Sequence, residues 1–262
     1  MEPLRVQFTL VSILFASGLF AGMIGLLELG RRLGRRRQGR DQESSRAGLG
    51  AVEGAVFALM GLVIAFTFSG AAARFDTRRQ LIVEEANAIG TAWLRVDLLP
   101  STAQPELRDL FRRYLDQRLA VYQKRAGMSV AREDMEKANA LQGEIWGRVV
   151  AVCQQAPSPV VAQIIPALNQ MFDIASTRTA AIQMHPPAMV FAMLGVLTLM
   201  SALLAGYAMA GGRTRSWIHL IGFAVIVAGT VYVIVDFEFP RMGIIRVDAM
   251  DQVLVELRQT MK

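Results

Sequence analysis

The sequence GAVFALMGLVIAFTFSGAAARFDTRRQLIVEEANAIGTAWLRVDLLP, residues 54–100, decides the fold of this chain. Its first 20 residues, 54–73, carry no charge, and a helix of that length crosses a hydrocarbon core of about 30 Å. Charged residues follow at once, and no proline occurs before Pro100. We therefore predict one helix from Gly48 to Leu99, roughly 78 Å long at about 1.5 Å per residue, which leaves the membrane without a break.

Three further uncharged runs, 6–27, 179–212 and 216–235, are also long enough to span a membrane. Only helices and closed barrels satisfy their backbone in lipid, and these runs lack the alternation of barrel strands. The first run is longer than the core of a cleaved signal peptide and precedes arginines, so we interpret it as a retained span. The predicted fold is an all-α integral membrane protein with four transmembrane helices and a helical extramembrane domain between spans 2 and 3. The expected regions are spans 1 and 2 with a basic loop (1–70), the helical domain (71–184), spans 3 and 4 (185–237) and a C-terminal extramembrane tail (238–262).

The charge distribution favours a membrane role over nucleic-acid binding. The net charge of +6 and the pI near 10.1 would ordinarily suggest a nucleic-acid partner. However, loop 31–46 has seven arginines against Asp41 and Glu43, a net of +5, and loop 211–216 adds two more arginines. These loops fall on the same side of a four-span chain. The positive-inside rule therefore places both in the cytoplasm of a bacterial inner membrane, and the central domain and both termini in the periplasm. The expected partner is the lipid bilayer.

The central block is predicted to be helical throughout, with proline and glycine at the breaks. The expected helices are 74–99, 106–125, 129–155 and 160–183, the last bent at Pro166. The sequence His185-Pro186-Pro187 should separate the last of them from span 3.

A polar stripe runs along the first central helix. Glu84, Asn87 or Ala88, Thr91 and Arg95 fall on one face at steps of three or four. Glu84 and Glu85 are expected to pair with Arg78, Arg79 or Arg95. The stripe has two interpretations: a salt-bridged, solvated face close to the membrane, or a polar lining for an ion or solute path.

Residues 74–100, together with DFEFPRMGIIRV at 236–247, resemble a bacterial membrane family described as bestrophin-like. The similarity runs from about Gly48 to the C-terminus. Bestrophins are pentameric anion channels whose second membrane helix lines a narrow apolar neck, so the resemblance implies an ion channel, a homo-oligomer and an inorganic ion. Bestrophins keep their bulk in the cytosol, which differs from the orientation that the charges predict. The candidate residues of the second motif are Asp236, Glu238, Pro240, Arg241 and Arg246.

Span 2 contains a face that fits such a neck. Phe57, Gly61, Ile64 and Phe68 lie at steps of four, three and four, so copies around an axis would present apolar rings to a constriction. The alternative is an ordinary lipid-facing or packing stripe. Glu53, at the start of this span, is the candidate selectivity or gating group.

The functional hypotheses follow from these features. The first is an oligomeric ion channel or pore lined by span 2. The alternative is a non-conducting membrane sensor or scaffold whose helical domain binds a partner, and a transporter ranks third because no inverted repeat with broken helices is evident. No enzyme motif occurs, Cys153 is the sole cysteine and the two histidines lie far apart, so no catalytic site, metal or cofactor is predicted.

Overall fold

The computed structural model describes residues 2–37, 43–123, 127–211 and 217–262, and within these ranges the chain is helical with no strand. Four stretches of the described residues are long and apolar enough to cross a membrane, and each overlaps one of the four predicted spans. The predicted all-α membrane fold is therefore confirmed. The α-helices are α1 (Glu2–Arg37), α2 (Glu43–Arg95), α3 (Gln104–Gln123), α4 (Gly127–Cys153), α5 (Ser158–Gln183), α6 (Ala188–Ala208), α7 (Trp217–Glu238) and α8 (Gln252–Thr260).

Proline residues end the helices close to the predicted positions. Helix α2 continues without interruption from the uncharged run to Arg95, and a single 3₁₀ turn (Val96–Leu98) follows before Pro100. Helix α5 begins after Pro157, contains Pro166 and ends before His185. Helix α6 begins directly after Pro187, whose extended backbone starts a new helix instead of continuing α5. The predicted break before span 3 is confirmed.

The chain divides into two compact units. One comprises Val6–Arg74 and His185–Ile245 and is called the membrane unit below. The other comprises Met1–Arg5, Phe75–Met184 and Arg246–Lys262 and is called the extramembrane unit. Helix α2 contributes residues to both units.

The core of the membrane unit forms from all four spans. One cluster joins Met23 and Leu27 of α1 to Met60 of α2 and to residues of α6 and α7. A second cluster contains Leu19, Ala71, Leu194, Val231 and Ile234. Because lipid tails are as apolar as these side chains, close packing holds such a bundle together more than the exclusion of water does.

Glycines allow α1 and α6 to touch backbone to backbone. A Cβ on Gly30 would lie 2.0 Å from the carbonyl oxygen of Leu203, and a Cβ on Gly206 would lie 2.0 Å from that of Leu27. Any larger residue at either position would push the two helices apart. By contrast, a Cβ on Gly18 of α1 or Gly54 of α2 would meet no described atom within 4 Å.

The extramembrane unit is a helical bundle that includes the C-terminus. Helices α3 and α4 pack as a hairpin, in which the fully buried Tyr114 accepts a hydrogen bond from Gln142 at 3.1 Å. Residues 238–262, predicted as a tail, contain α8, which packs on α3 and buries Leu254 completely. The end of the chain is therefore an integral part of this unit.

Candidate functional site

Glu85 lies at the centre of a buried ionic cluster in the extramembrane unit. Its Oε1 accepts a hydrogen bond from Arg118 Nε of α3 at 2.5 Å, and its Oε2 accepts one from Arg178 Nη1 of α5. Arg178 Nη2 also donates to Oδ1 of Asp251 at 3.0 Å, directly before α8. These four residues, called the Glu85 cluster below, are all buried. The cluster therefore connects α2, α3, α5 and the start of α8.

The expectation that Glu85 pairs with an arginine of its own helix is wrong. Glu85 faces the interior of the unit, where its arginine partners among the described residues come from α3 and α5. Removing one member of a buried ion pair leaves an uncompensated charge, which typically costs about 3–5 kcal/mol. The cluster therefore depends on all its members being present.

A sequence signal for the two arginine partners was available in their own helices. Arg118 continues the apolar stripe of α3 formed by Phe111, Tyr114 and Leu115, at steps of three or four. Arg178 similarly continues the buried stripe of α5 that includes Met171. A single arginine on an apolar helix face indicates a buried ionic partner, because an unpaired charge there would be too costly.

The predicted polar stripe of α2 divides into exposed and structural residues. Glu84, Asn87 and Thr91 are all exposed and share one face, as their spacing predicted. Arg79 is exposed and lies 3.4 Å from Asp76. A role for this face in lining an ion path stays a prediction.

Two other arginines of α2, Arg78 and Arg95, bind backbone carbonyls of α5 and of the residue that follows it. Arg78 is buried and donates from Nε to the carbonyl of Ala181 at 3.1 Å and from Nη2 to that of Met184 at 2.8 Å. These carbonyls lie at the C-terminal end of α5, where oxygens lack helical partners and the helix dipole favours a cation. Arg95 donates from Nη1 to the carbonyl of Gln163 at 2.5 Å.

The second motif forms a turn around the carboxylate of Asp236 in the membrane unit. Oδ1 accepts a hydrogen bond from the backbone N–H of Ile244 at 3.0 Å, and Oδ2 accepts one from Ile245 at 2.7 Å. A Cβ on Gly243 would lie 1.9 Å from Oδ1, so only glycine fits where the loop passes the carboxylate. Asp236 is buried, and its role here is to fix the return of the chain after α7.

The other residues of this motif differ in their surroundings. Glu238 is buried and accepts hydrogen bonds at Oε1 from Nε and Nη2 of Arg74, the first at 2.9 Å. Its Oε2 lies 3.4 Å from His185 Nδ1, and the His185 ring stacks on Phe239. Three further candidates are a buried Pro240, a half-buried Arg241 and an exposed Arg246.

A cavity of about 190 Å³ adjoins the Arg74–Glu238 pair within the membrane unit. Helix α2 contributes Phe66, Thr67, Gly70 and Arg74 to its walls. The remaining lining residues are Pro186, Val190, Phe191, Ile234 and Glu238.

The predicted neck face of α2 meets the other spans of its own unit. Phe57 packs edge to face on Phe223, with ring centroids 6.2 Å apart, and Phe68 packs in the same way on Phe237 at 5.7 Å. Ile64 is half-buried between both core clusters. Gly61 is exposed, and Glu53 is half-buried on the side of α2 that faces the core. The function of these residues in a pore stays a prediction.

The opposite side of α2 is largely uncovered within the chain. Only 11% of its most apolar stretch is buried, compared with 22–33% for the other three spanning stretches. The centre of this uncovered side is formed by Ala55, Ala58, Leu62, Ala65 and Ser69, which are all exposed and are called the open face of α2 below.

No group of three or more histidine, cysteine, aspartate or glutamate side chains among the described residues is arranged to hold a metal ion. Comparisons with curated proteins and with solved structures find no match for this chain. The model of the bestrophin-like domain matches residues 18–250, which is most of the chain and extends from within span 1 to beyond the end of span 4. The protein therefore belongs to the bestrophin-like domain family.

Proposed function

We propose that the protein is an oligomeric ion channel whose pore is lined by α2. The observation that carries this proposal is the open face of α2, which no other helix of the described chain covers over the length of a membrane span. Family membership supports a channel-like function.

The composition of the open face suits a pore built from several copies. Three of its five residues are alanines, so the helix backbones of neighbouring copies would approach closely and leave Leu62 as the largest side chain at the axis. An apolar ring of this kind gates ion flow by excluding water when it narrows. Gly61 and Phe68 border the same face, so the neck predicted from sequence would lie at its edge. A channel needs no catalytic residue, and the proposal assigns none.

We also propose the orientation that the loop charges favour, in a bacterial inner membrane with residues 31–46 and 211–216 in the cytoplasm. A periplasm-active reporter fused after Lys262 should then be active. A reporter that is active only in the cytoplasm at this position would reverse the orientation and leave the channel proposal untouched.

Ion flux from liposomes tests the function directly. Purified protein should release chloride or potassium from loaded vesicles, whereas absence of flux for both ions over a wide pH range would reject a pore. The non-conducting sensor or scaffold would then rank first, ahead of the transporter.

Two matched pairs of variants test the lining by α2. Phe68→Ala and Leu62→Trp should both alter conductance. Their controls are Phe15→Ala on α1 and Ile226→Trp on α7, which change exposed apolar residues of other spans and should leave the conductance unchanged. Equal conductance in all four variants would remove α2 from the pore.

A further inference from the structure

The cavity beside Arg74 has a polar end and an apolar body. Phe66, Val190, Phe191 and Ile234 form its apolar walls, and Arg74 and Glu238 form the polar end. Its volume of about 190 Å³ is of the same order as protein cavities that hold a benzene-sized apolar group. The body therefore has room for part of a hydrocarbon chain.

Arg74 presents unused hydrogen-bond donors to this space. Its Nε and Nη2 donate to Glu238, while the side chain folds back so that Nη1 lies 3.2 Å from the position of a Cβ on Gly70. Among the described residues, none accepts a hydrogen bond from this Nη1. A guanidinium has five N–H donors in a fixed plane and matches phosphate oxygens particularly well. The polar end is therefore suited to a phosphate group.

The polar end and the apolar body of the cavity are arranged in the same order as the head group and acyl chains of a lipid in one leaflet. Arg74 directly follows the uncharged run of α2, and Glu238 is the last residue of α7, so both mark the ends of membrane spans. Phe66 lies eight residues earlier on α2, about 12 Å towards the centre of the bilayer. It is 70% exposed, so the cavity is open on the side from which a lipid chain would enter.

We propose that this cavity binds one phospholipid. Its phosphodiester accepts hydrogen bonds from Arg74 Nη1, and one acyl chain lies along Phe66, Val190 and Phe191. Because Glu238 compensates the charge of Arg74, recognition depends on the phosphodiester and the chain together and not on the net charge of the head group. Phosphatidylglycerol and phosphatidylcholine should therefore bind about equally.

Native mass spectrometry of delipidated full-length protein tests this site. Titration with either phospholipid should add one tightly held molecule per chain. Gly70→Leu places a side chain in the cavity and keeps both charged groups, so it should weaken binding about tenfold or more, equivalent to roughly 1.4 kcal/mol. Gly195→Leu on α6 is the control, since an added Cβ there meets nothing within 4 Å.

A second pair of variants keeps the test independent of folding defects. Phe66→Ala removes an exposed wall of the cavity and should also weaken binding, whereas Leu62→Ala on the same helix should not. Equal lipid retention in wild type, Gly70→Leu and Phe66→Ala would overturn the proposal. Inorganic phosphate that displaces the lipid at equal concentration would also overturn it, because the acyl chain would then contribute nothing.

Discussion

The carboxylate of Asp236 occupies the space that a side chain at Gly243 would need. The distance of 1.9 Å from Asp236 Oδ1 to a Cβ at this position is far below any contact that atoms tolerate. The turn after α7 thus requires a hydrogen-bond acceptor at Asp236 and no side chain at Gly243.

Gly243→Ala should destabilise the protein. The new methyl group would displace the carboxylate and break its hydrogen bonds to Ile244 and Ile245, at a cost of about 2–4 kcal/mol. Thermal unfolding in detergent measures the loss. Gly229→Ala on α7 is the control, because a Cβ there has nothing within 4 Å. Equal melting temperatures for the two variants would contradict the prediction.

Glu85→Gln should destabilise the extramembrane unit by about 3–5 kcal/mol, because it removes the buried carboxylate that the guanidinium groups of Arg118 and Arg178 share. The neighbouring Glu84→Gln removes the same charge from an exposed position and should change stability by less than about 0.5 kcal/mol. Denaturant unfolding distinguishes the two variants. A similar effect of both would mean that the Glu85 cluster contributes no stability.

Gly30→Ala should lower the melting temperature because its Cβ would overlap the backbone of Leu203. Gly25→Ala on the same helix adds a methyl group where nothing lies within 4 Å, and it should be neutral or slightly stabilising, since alanine favours helix. If Gly30→Ala were as stable as wild type, α1 and α6 would not be in backbone contact.

Copies of the protein should be connected through the open face of α2. In a Cys153→Ala background the chain has no other cysteine, so Ala58→Cys or Ala65→Cys reports only contacts between copies. Oxidation in membranes should give disulfide-linked dimers for these variants. Ile226→Cys on α7 is the control, and it should stay monomeric on a denaturing gel. Dimers from the control alone would place the interface on α7.

The thiol of Cys153 at the end of α4 should react slowly with iodoacetamide in the folded protein, because burial raises the pKa of this group. The folded state favours the protonated thiol, so the thiolate fraction at a given pH is smaller than in the unfolded chain. The rate difference between native and denatured protein should narrow as pH rises above the folded pKa. Because the folded state favours the protonated thiol, the free energy of unfolding falls as pH rises from the pKa of the unfolded chain towards the higher folded pKa. Equal alkylation rates at neutral pH would contradict this assignment.

The sequence predicts the parts of this fold that depend on neighbouring residues. Uncharged runs locate the spans, and Pro100, Pro157 and Pro187 locate helix breaks, because lipid and proline act on short segments. The partners of Glu85 could not be predicted from spacing on α2, since Arg118 and Arg178 lie 33 and 93 residues away. The contact between Asp236 and Gly243 likewise depends on how the loop turns. Long-range pairing requires the tertiary structure.

The backbone contact at Gly30 and Gly206 restricts how this protein can move. The sequence neighbours of these glycines, Leu29 and Arg31 on α1 and Ala205 and Tyr207 on α6, all carry side chains, so a small slide of α1 along α6 would bring the two helices into collision. These two helices therefore act as a fixed frame. We therefore expect changes of shape within the membrane unit to come from movement of α2 or α7 relative to α1 and α6. Helix α2 has the smallest buried fraction of the four spans, so its movement would break the fewest packing contacts.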